Sequence, residues 1–462
     1  MTALLAGIDV GTTNCKVGVY TLDGIAVVER RRATPADAGN LVAGVFEDLR
    51  DCLDAAASTP VAVGVTGVAE GGVPLDHDLN PMAPLLWWHD ERASAEARWL
   101  AGEVGRAELF VATGVDVGPG TPLATWMWLR RHQPDVVDGM RVWVGAPELV
   151  ATMLCGAPLS HRTFAGRSGA YDQLRDRYDH NLLDIAAVRE TQLPAHVTGA
   201  ATRGPLPVGT PVVVAGHDHL VAAHAAGARD PGDVVDSLGT AEAVVTVSER
   251  VAPRAAAGSG MSWNRSADGT RWAMVSGFPH CGRLLRWLCS LASPAGDLAG
   301  LEKVAESVGA RPTGIVVLPY LAGRGAPAPD PDQRLAVHDL TPGQALPDVI
   351  VAALEGVSYH ARWLAEHHAE QAGTKLGGVT VFGGPGQDTA WMAAKAHVMP
   401  GEVRVTADAD AACAGAALLA GAAVGLPAPV LRSDVLPRDD ILADRYDAIY
   451  RDGFLSRVRE VT

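Results

Sequence analysis

At 462 residues, with 48% apolar and 20% charged side chains, the chain is long enough for about two to three domains and too apolar for disorder. The net charge of −15 argues against a general binder of nucleic acid or membrane surface, because both are anionic. It leaves room for an anionic ligand held locally by a few amides and a metal ion.

The first predicted element is a hairpin. Residues 4–24, LLAGIDVGTTNCKVGVYTLDG, read as strand, Gly-Thr turn, strand. VAVGVTGV (61–68) is a buried-strand run, and ASAEARWLAGEVGRAELF (93–110) has helical composition. TPLATWMWLRRHQP (121–134) is a helix stopped by Pro134, and VWVGAPELVATMLCG (142–156) is strand then helix. PVVVAGHDHLVAAHAAGA (211–228) reads as strand, tight turn and helix. DVVDSLGTAEAVVTV (233–247) repeats the strand, Gly-Thr turn, strand pattern. GIVVLPYL (314–321) is a strand and 347–370 a long amphipathic helix. VTVFGGPGQDTAWMAAKAHVM (379–399) is strand, glycine turn, helix, and 408–425 is a helix of small residues. Alternating strands and helices predict an α/β fold. The Pro-Gly break in ARDPGD (228–233) sets the boundary between domains 1–232 and 233–462.

The cysteines (15, 52, 155, 281, 289, 413) form no CxxC pair and read as reduced, mostly buried thiols. No basic segment with a following apolar run opens the chain, and no run nears ~18 apolar residues. These features predict a cytoplasmic protein.

Two Gly-Thr hairpins half a chain apart suggest two similar domains facing a nucleotide, because such turns present N–H groups to phosphates. Thr12, Thr13 and Thr240 add hydroxyl donors. Asp9 ends the first strand, where it either orients a hydrated Mg²⁺ or caps the turn. Lys16, on the return strand, reads as solvent-facing. Asp218, at the C-terminal end of a strand, is either a proton acceptor kept ionised by helix amides or an N-cap. Its neighbours His217 and His219 suggest a metal site, although residues adjacent in sequence rarely converge on one ion. Glu70, Trp88, Asp90 and Arg92, near strand ends, suit a polyol, or are polar turn residues. VFGGPGQD (381–388) allows a ring or ribose to approach bare backbone, or is a plain tight turn. It is neither a Walker loop nor a Rossmann motif.

Together GIDVGTTNCK, GVAEGGVPLD, WWHDERA, VVVAGHDH, DSLGTAEAVV, LPYLAGRGAP, ALEGVSY, FGGPGQDTAWMAAKA and AGAALLA, in this order, resemble the FGGY family of carbohydrate kinases. The likeness covers about residues 4–425. It implies two ribonuclease-H-like domains of the actin-like superfamily, with sugar and ATP in an interdomain cleft. It also implies transfer of the γ-phosphoryl group of ATP to a sugar or polyol hydroxyl with Mg²⁺. By the resemblance Asp218 is the catalytic aspartate and Asp9 the metal-proximal one. Gly11, Thr12 and Thr13 form the first phosphate loop, Gly239 and Thr240 the second, and Gly383, Gly384 and Gln387 the adenosine turn. Glu70 and Asp90 touch the sugar, with Trp88 beside them.

The chain departs from the family pattern at Thr125, at GRGAP (323–327), at VHDL (337–340) and at Ala69-Glu70-Gly71. The last fits neither the xylulokinase nor the glycerol kinase pattern. Glu70 would accept bonds from hydroxyls and repel an anion, predicting a neutral polyol or keto sugar, unless Arg92 or Arg324 neutralises it. Other readings are a superfamily kinase for a sugar acid or another acceptor, a non-catalytic relative, and an actin-like switch. Nucleic acid and membrane are not expected partners; a homodimer is left open.

Overall fold

The computed structural model describes residues 3–197, 201–205, 210–239, 241–278, 281–309, 311–384, 389–406 and 410–459. Two mixed sheets organise the chain. The first contains β1 (Leu4–Val10), β2 (Asn14–Thr21), β3 (Ala26–Ala33), β4 (Val63–Gly67), β5 (Ala201–Pro205) and β6 (Pro211–His217). Their spatial order is β5-β6-β4-β1-β2-β3. The second contains β7 (Val234–Leu238), β8 (Glu242–Ser248), β9 (Ser262–Arg265), β10 (Trp272–Phe278), β11 (Val379–Phe382), β12 (Val403–Thr406) and β13 (Ser433–Val435). Their order is β9-β10-β8-β7-β11-β12-β13.

The sheets share one pattern. β1 pairs antiparallel with β2 and parallel with β4; β7 pairs antiparallel with β8 and parallel with β11. Every residue of β1 is buried, as expected of a central strand covered on both faces. The two Gly-Thr turns therefore open at equivalent edges of two equivalent sheets.

Helices supply the layers. α1 (Ala38–Ala56) starts at Asp37, whose side chain accepts the Asn40 N–H. With α2 (Ala146–Cys155) it covers one face of the first sheet. α3 (Asp218–Ala225) and α6 (Ala411–Ala423) lie in the layer between the sheets, in a core built from Val213, Leu220, Val235, Val245 and Leu418. α4 (Leu346–Ala372) covers the outer face of the second sheet, and α5 (Thr389–Val398) follows the glycine turn. The composition of α6 explains its position. A β-carbon at Gly7 would overlap the carbonyl of Cys413, and one at Gly64 that of Ala416. Small residues on both sides let helix backbone approach strand backbone, which bulkier pairs forbid.

Two local expectations change. No turn separates β6 from α3: His217 is the N-cap residue and Asp218 the first helical residue, so Asp218 is not itself the cap. The strand expected over 314–321 shortens to Val316–Leu318. No helix among the described residues is long and apolar enough to cross a membrane.

Candidate active site

Strand register builds the first wall. Asp9 on β1 faces Lys16 on β2, and Lys16 faces Arg31 on β3. Directly opposed residues share a sheet face, so three charged side chains stand in a row across three strands. Lys16 also pairs with Asp410, the N-cap residue of α6. Lys16 is therefore not the solvent-facing residue expected, because its strand edge faces α6 and the cleft.

Asp9, Lys16, Arg31, Asp218, His219 and Asp410 line a cleft of about 400 Å³. Across from them lie Ser237, Leu238, Gly239, Phe382, Gly383 and Gly384 from the second half. Strand alternation turns Ser237 to the cleft and its neighbour Asp236 into the core. Gly383, at φ +109°, rests so closely on Leu238 that any β-carbon would overlap the Leu238 carbonyl. Thr240 and Gln387 lie outside the described residues.

Two of the cleft carboxyls, Asp9 and Asp218, are shifted in opposite directions. Burial, then the charge of Asp218, pushes Asp9 up to about 7 against the pull of Lys16. One of its oxygens, Oδ1, is buried without a hydrogen-bond partner. Burial would also raise Asp218, but His219, His217, the His219 N–H and Lys16 outweigh it and hold the carboxyl low. The His219 N–H donates to Asp218 Oδ1 at 2.6 Å, and His217 Nε2 lies 3.2 Å from the same atom. Burial depresses His217 to about 4, so its ring is neutral at pH 7. Ligand atoms of His217, Asp218 and His219 do come within 4.8 Å of one another. The two histidines also help to lower the Asp218 carboxyl.

Beside the cleft, Glu70 adopts φ +73°. A non-glycine residue there costs about 1–3 kcal/mol and tends to mark functional sites. Its carboxylate pairs with Arg167, which the sequence reading did not single out. Neither Arg92 nor Arg324 plays that part. Arg92 donates to Asp90 at 2.8 Å, and Arg324 is buried in the second half against Ala328 and Val458. Burial would raise Asp90, but the Arg92 bonds outweigh it and lower it. Trp88 is half exposed and donates from Nε1 to Thr12 Oγ1 at 2.9 Å, tying it to the first turn. Gly11 and Thr13 hold the turn through backbone bonds to Asn14 and Thr34.

Comparison with known proteins settles the family. The model for the N-terminal domain of the FGGY family of carbohydrate kinases matches residues 4–224, and that for its C-terminal domain residues 235–424. The chain belongs to the FGGY family of carbohydrate kinases. It is a carbohydrate kinase that uses ATP. A gluconokinase from Bacillus subtilis (strain 168) is 22% identical over 457 residues, covering 92% of this chain and 88% of the relative. A xylulose kinase from Streptomyces rubiginosus is 28% identical over 436 residues, covering 88% and 85%. The crystal structure of gluconate kinase from Lactobacillus acidophilus superposes with a TM-score of 0.88 at 20% identity, covering 99% of this chain and 98% of that one. The fold is thus the two-domain α/β architecture of FGGY sugar kinases.

Proposed function

We propose that this kinase phosphorylates a hydroxyl of a neutral polyol or keto sugar, with Asp218 as proton acceptor. The supporting observation is the single cleft in which Asp218 and Asp9 face Ser237, Gly239, Gly383 and Gly384. Asp218 is ionised there and sits at the first turn of α3, the state and position a proton acceptor needs. As the acceptor oxygen bonds to the γ-phosphorus, the bond to the β–γ bridging oxygen breaks, ADP leaves, and Asp218 takes the hydroxyl proton.

The first turn at Gly11, Thr12 and Thr13 and the second at Gly239 and Thr240 hold phosphates in this reading. Gly383, Gly384 and Gln387 receive the adenosine. The orphaned Oδ1 of buried Asp9, beside Asp218 and Asp410, fits a hydrated Mg²⁺. When bound, Mg²⁺ supplies charge neutralisation on the phosphates.

Both acidic residues assigned to the acceptor are paired with a cation. Glu70 is matched by Arg167 and Asp90 by Arg92. A matched pair offers both a donor and an acceptor to neighbouring hydroxyls, whereas a carboxylate ligand needs an uncommitted cation. The chain divides, in this account, into domains 1–232 and 233–462, each built on one sheet, and acts in the cytoplasm.

The test is ADP release over a panel of pentuloses, hexuloses, tetritols, pentitols and sugar acids. A neutral compound should give the highest kcat/KM. A sugar acid preferred over every neutral compound would overturn the acceptor assignment.

A further inference from the structure

Behind the second phosphate turn lies a charged cluster that the chemistry above does not use. Lys395 on α5, Asp236 on β7 and Glu242 on β8 are all completely buried. Lys395 Nζ donates to Asp236 Oδ2 and, at 3.0 Å, to Glu242 Oε1. Among the described residues the other two oxygens, Asp236 Oδ1 and Glu242 Oε2, are buried without a partner. Burial, then Asp236, against the pull of Lys395, pushes the Glu242 carboxyl up to about 8, so at pH 7 it keeps its proton and the triad is close to neutral. Lys395 Nζ also lies 5.7 Å from the centre of the Trp391 ring on the same helix.

The cost of such a cluster is several kcal/mol of lost hydration per ion, and apolar residues of similar volume often serve stability as well or better. Its position suggests what it does. Asp236 and Glu242 sit on the two strands that flank residues 239–241. Lys395 stands on the helix that leaves the adenosine turn. The two strand ends also touch at the cleft, where Gly383 rests on Leu238. One backbone contact and one ionic contact therefore join β7 to the end of β11 and to α5.

We propose that Lys395 is a positioning residue that fixes Gly239, after β7, relative to Gly383 and Gly384, after β11, so that the phosphates and the adenosine meet partners held at a set spacing. This rests on the nucleotide assignment made above. With the lock intact, the two strand ends keep one spacing and binding costs less. Without it, nucleotide affinity falls while the acceptor pocket, formed by the first half, is untouched.

The experiment compares wild type with Lys395→Met/Asp236→Asn, which removes the ion pair without leaving a lone buried charge, and with the milder Glu242→Gln. ADP affinity is read by calorimetry, thermal midpoint by calorimetric scanning, and KM for acceptor by ADP release. The expected result is ADP binding weaker by ten-fold or more in the double variant and by a few-fold in Glu242→Gln, with acceptor KM unchanged. Should the double variant not fold, Glu242→Gln alone decides. ADP binding within error of wild type in the folded variants, whatever their thermal midpoint, reduces the triad to a structural role and overturns the proposal. A wild-type protein that binds no ADP sinks the nucleotide assignment itself, and this inference with it.

Discussion

The Asp218 carboxylate, on the first turn of α3, helps keep its neighbour Asp9, on β1, protonated: after burial, its charge is the largest influence lifting Asp9 to about 7. The sign of the consequence is fixed. Between about pH 4 and 7 the folded protein holds a proton that the unfolded chain has released, so Asp9 lowers stability as pH rises through that window. Above 7 the full cost stands, on the order of 4 kcal/mol. Asp9→Asn should therefore be more stable than wild type at pH 8 without nucleotide, and nearly equal to it at pH 4. Urea unfolding at both values checks this; a gap that does not change with pH would remove Asp9 as the cause.

The Arg167–Glu70 pair carries the acceptor assignment. Arg167→Met leaves Glu70 unmatched beside the hydroxyls proposed for it, and Glu70→Gln removes the charge that holds Arg167. Each should raise acceptor KM by about ten-fold or more, with KM for ATP within two-fold, because a lost charged partner costs about 1.5–3 kcal/mol. Equal shifts in both KM values would point to a general disturbance of the cleft.

Close packing of α6 on the first sheet predicts a severe lesion from one methyl group. At Gly64 a β-carbon overlaps the Ala416 carbonyl, which is helix backbone and cannot rotate away. Gly64→Ala should lower unfolding free energy by about 3 kcal/mol or more, the upper range for overpacking. Gly258→Ala, where the added atom meets nothing within 4 Å but φ is +83°, should cost only the smaller backbone strain of about 1–2 kcal/mol. Denaturant midpoints of the two variants decide the order.

In the proposed reading the acceptor sits against the first half and the nucleotide spans both walls of the cleft, and α3 and α6 form a layer shared by both sheets. Binding both ligands should pull the walls together. Solution scattering with a neutral acceptor and a non-hydrolysable nucleotide should show a smaller radius of gyration than the free protein. An unchanged profile at saturation would count against closure.

Much of this was legible in the sequence. The two Gly-Thr hairpins mark equivalent edges of two equivalent sheets, and GHDH marks the β6–α3 junction, because glycine turns and apolar runs are local signals. What escaped depends on pairing across distance. Lys16 reads as solvent-facing until Asp410, far along the chain, is set against it. The register of the first hairpin already puts Lys16 opposite Asp9, and that signal was available. Arg167 lies in FAGRSGA with no motif around it, and only the fold brings it to Glu70. Lys395 sits among alanines on a helix, where a lysine is ordinarily exposed; the acids that bury it come from two strands of another segment.

The central claim is that Asp218 accepts the acceptor's proton, and turnover of Asp218→Asn with the best neutral acceptor tests it most directly. A positioned base contributes roughly 10²- to 10⁴-fold in rate. The variant should lose that much kcat, retain its fold by circular dichroism, and bind ADP with near wild-type affinity. A folded Asp218→Asn with near wild-type kcat would contradict the account.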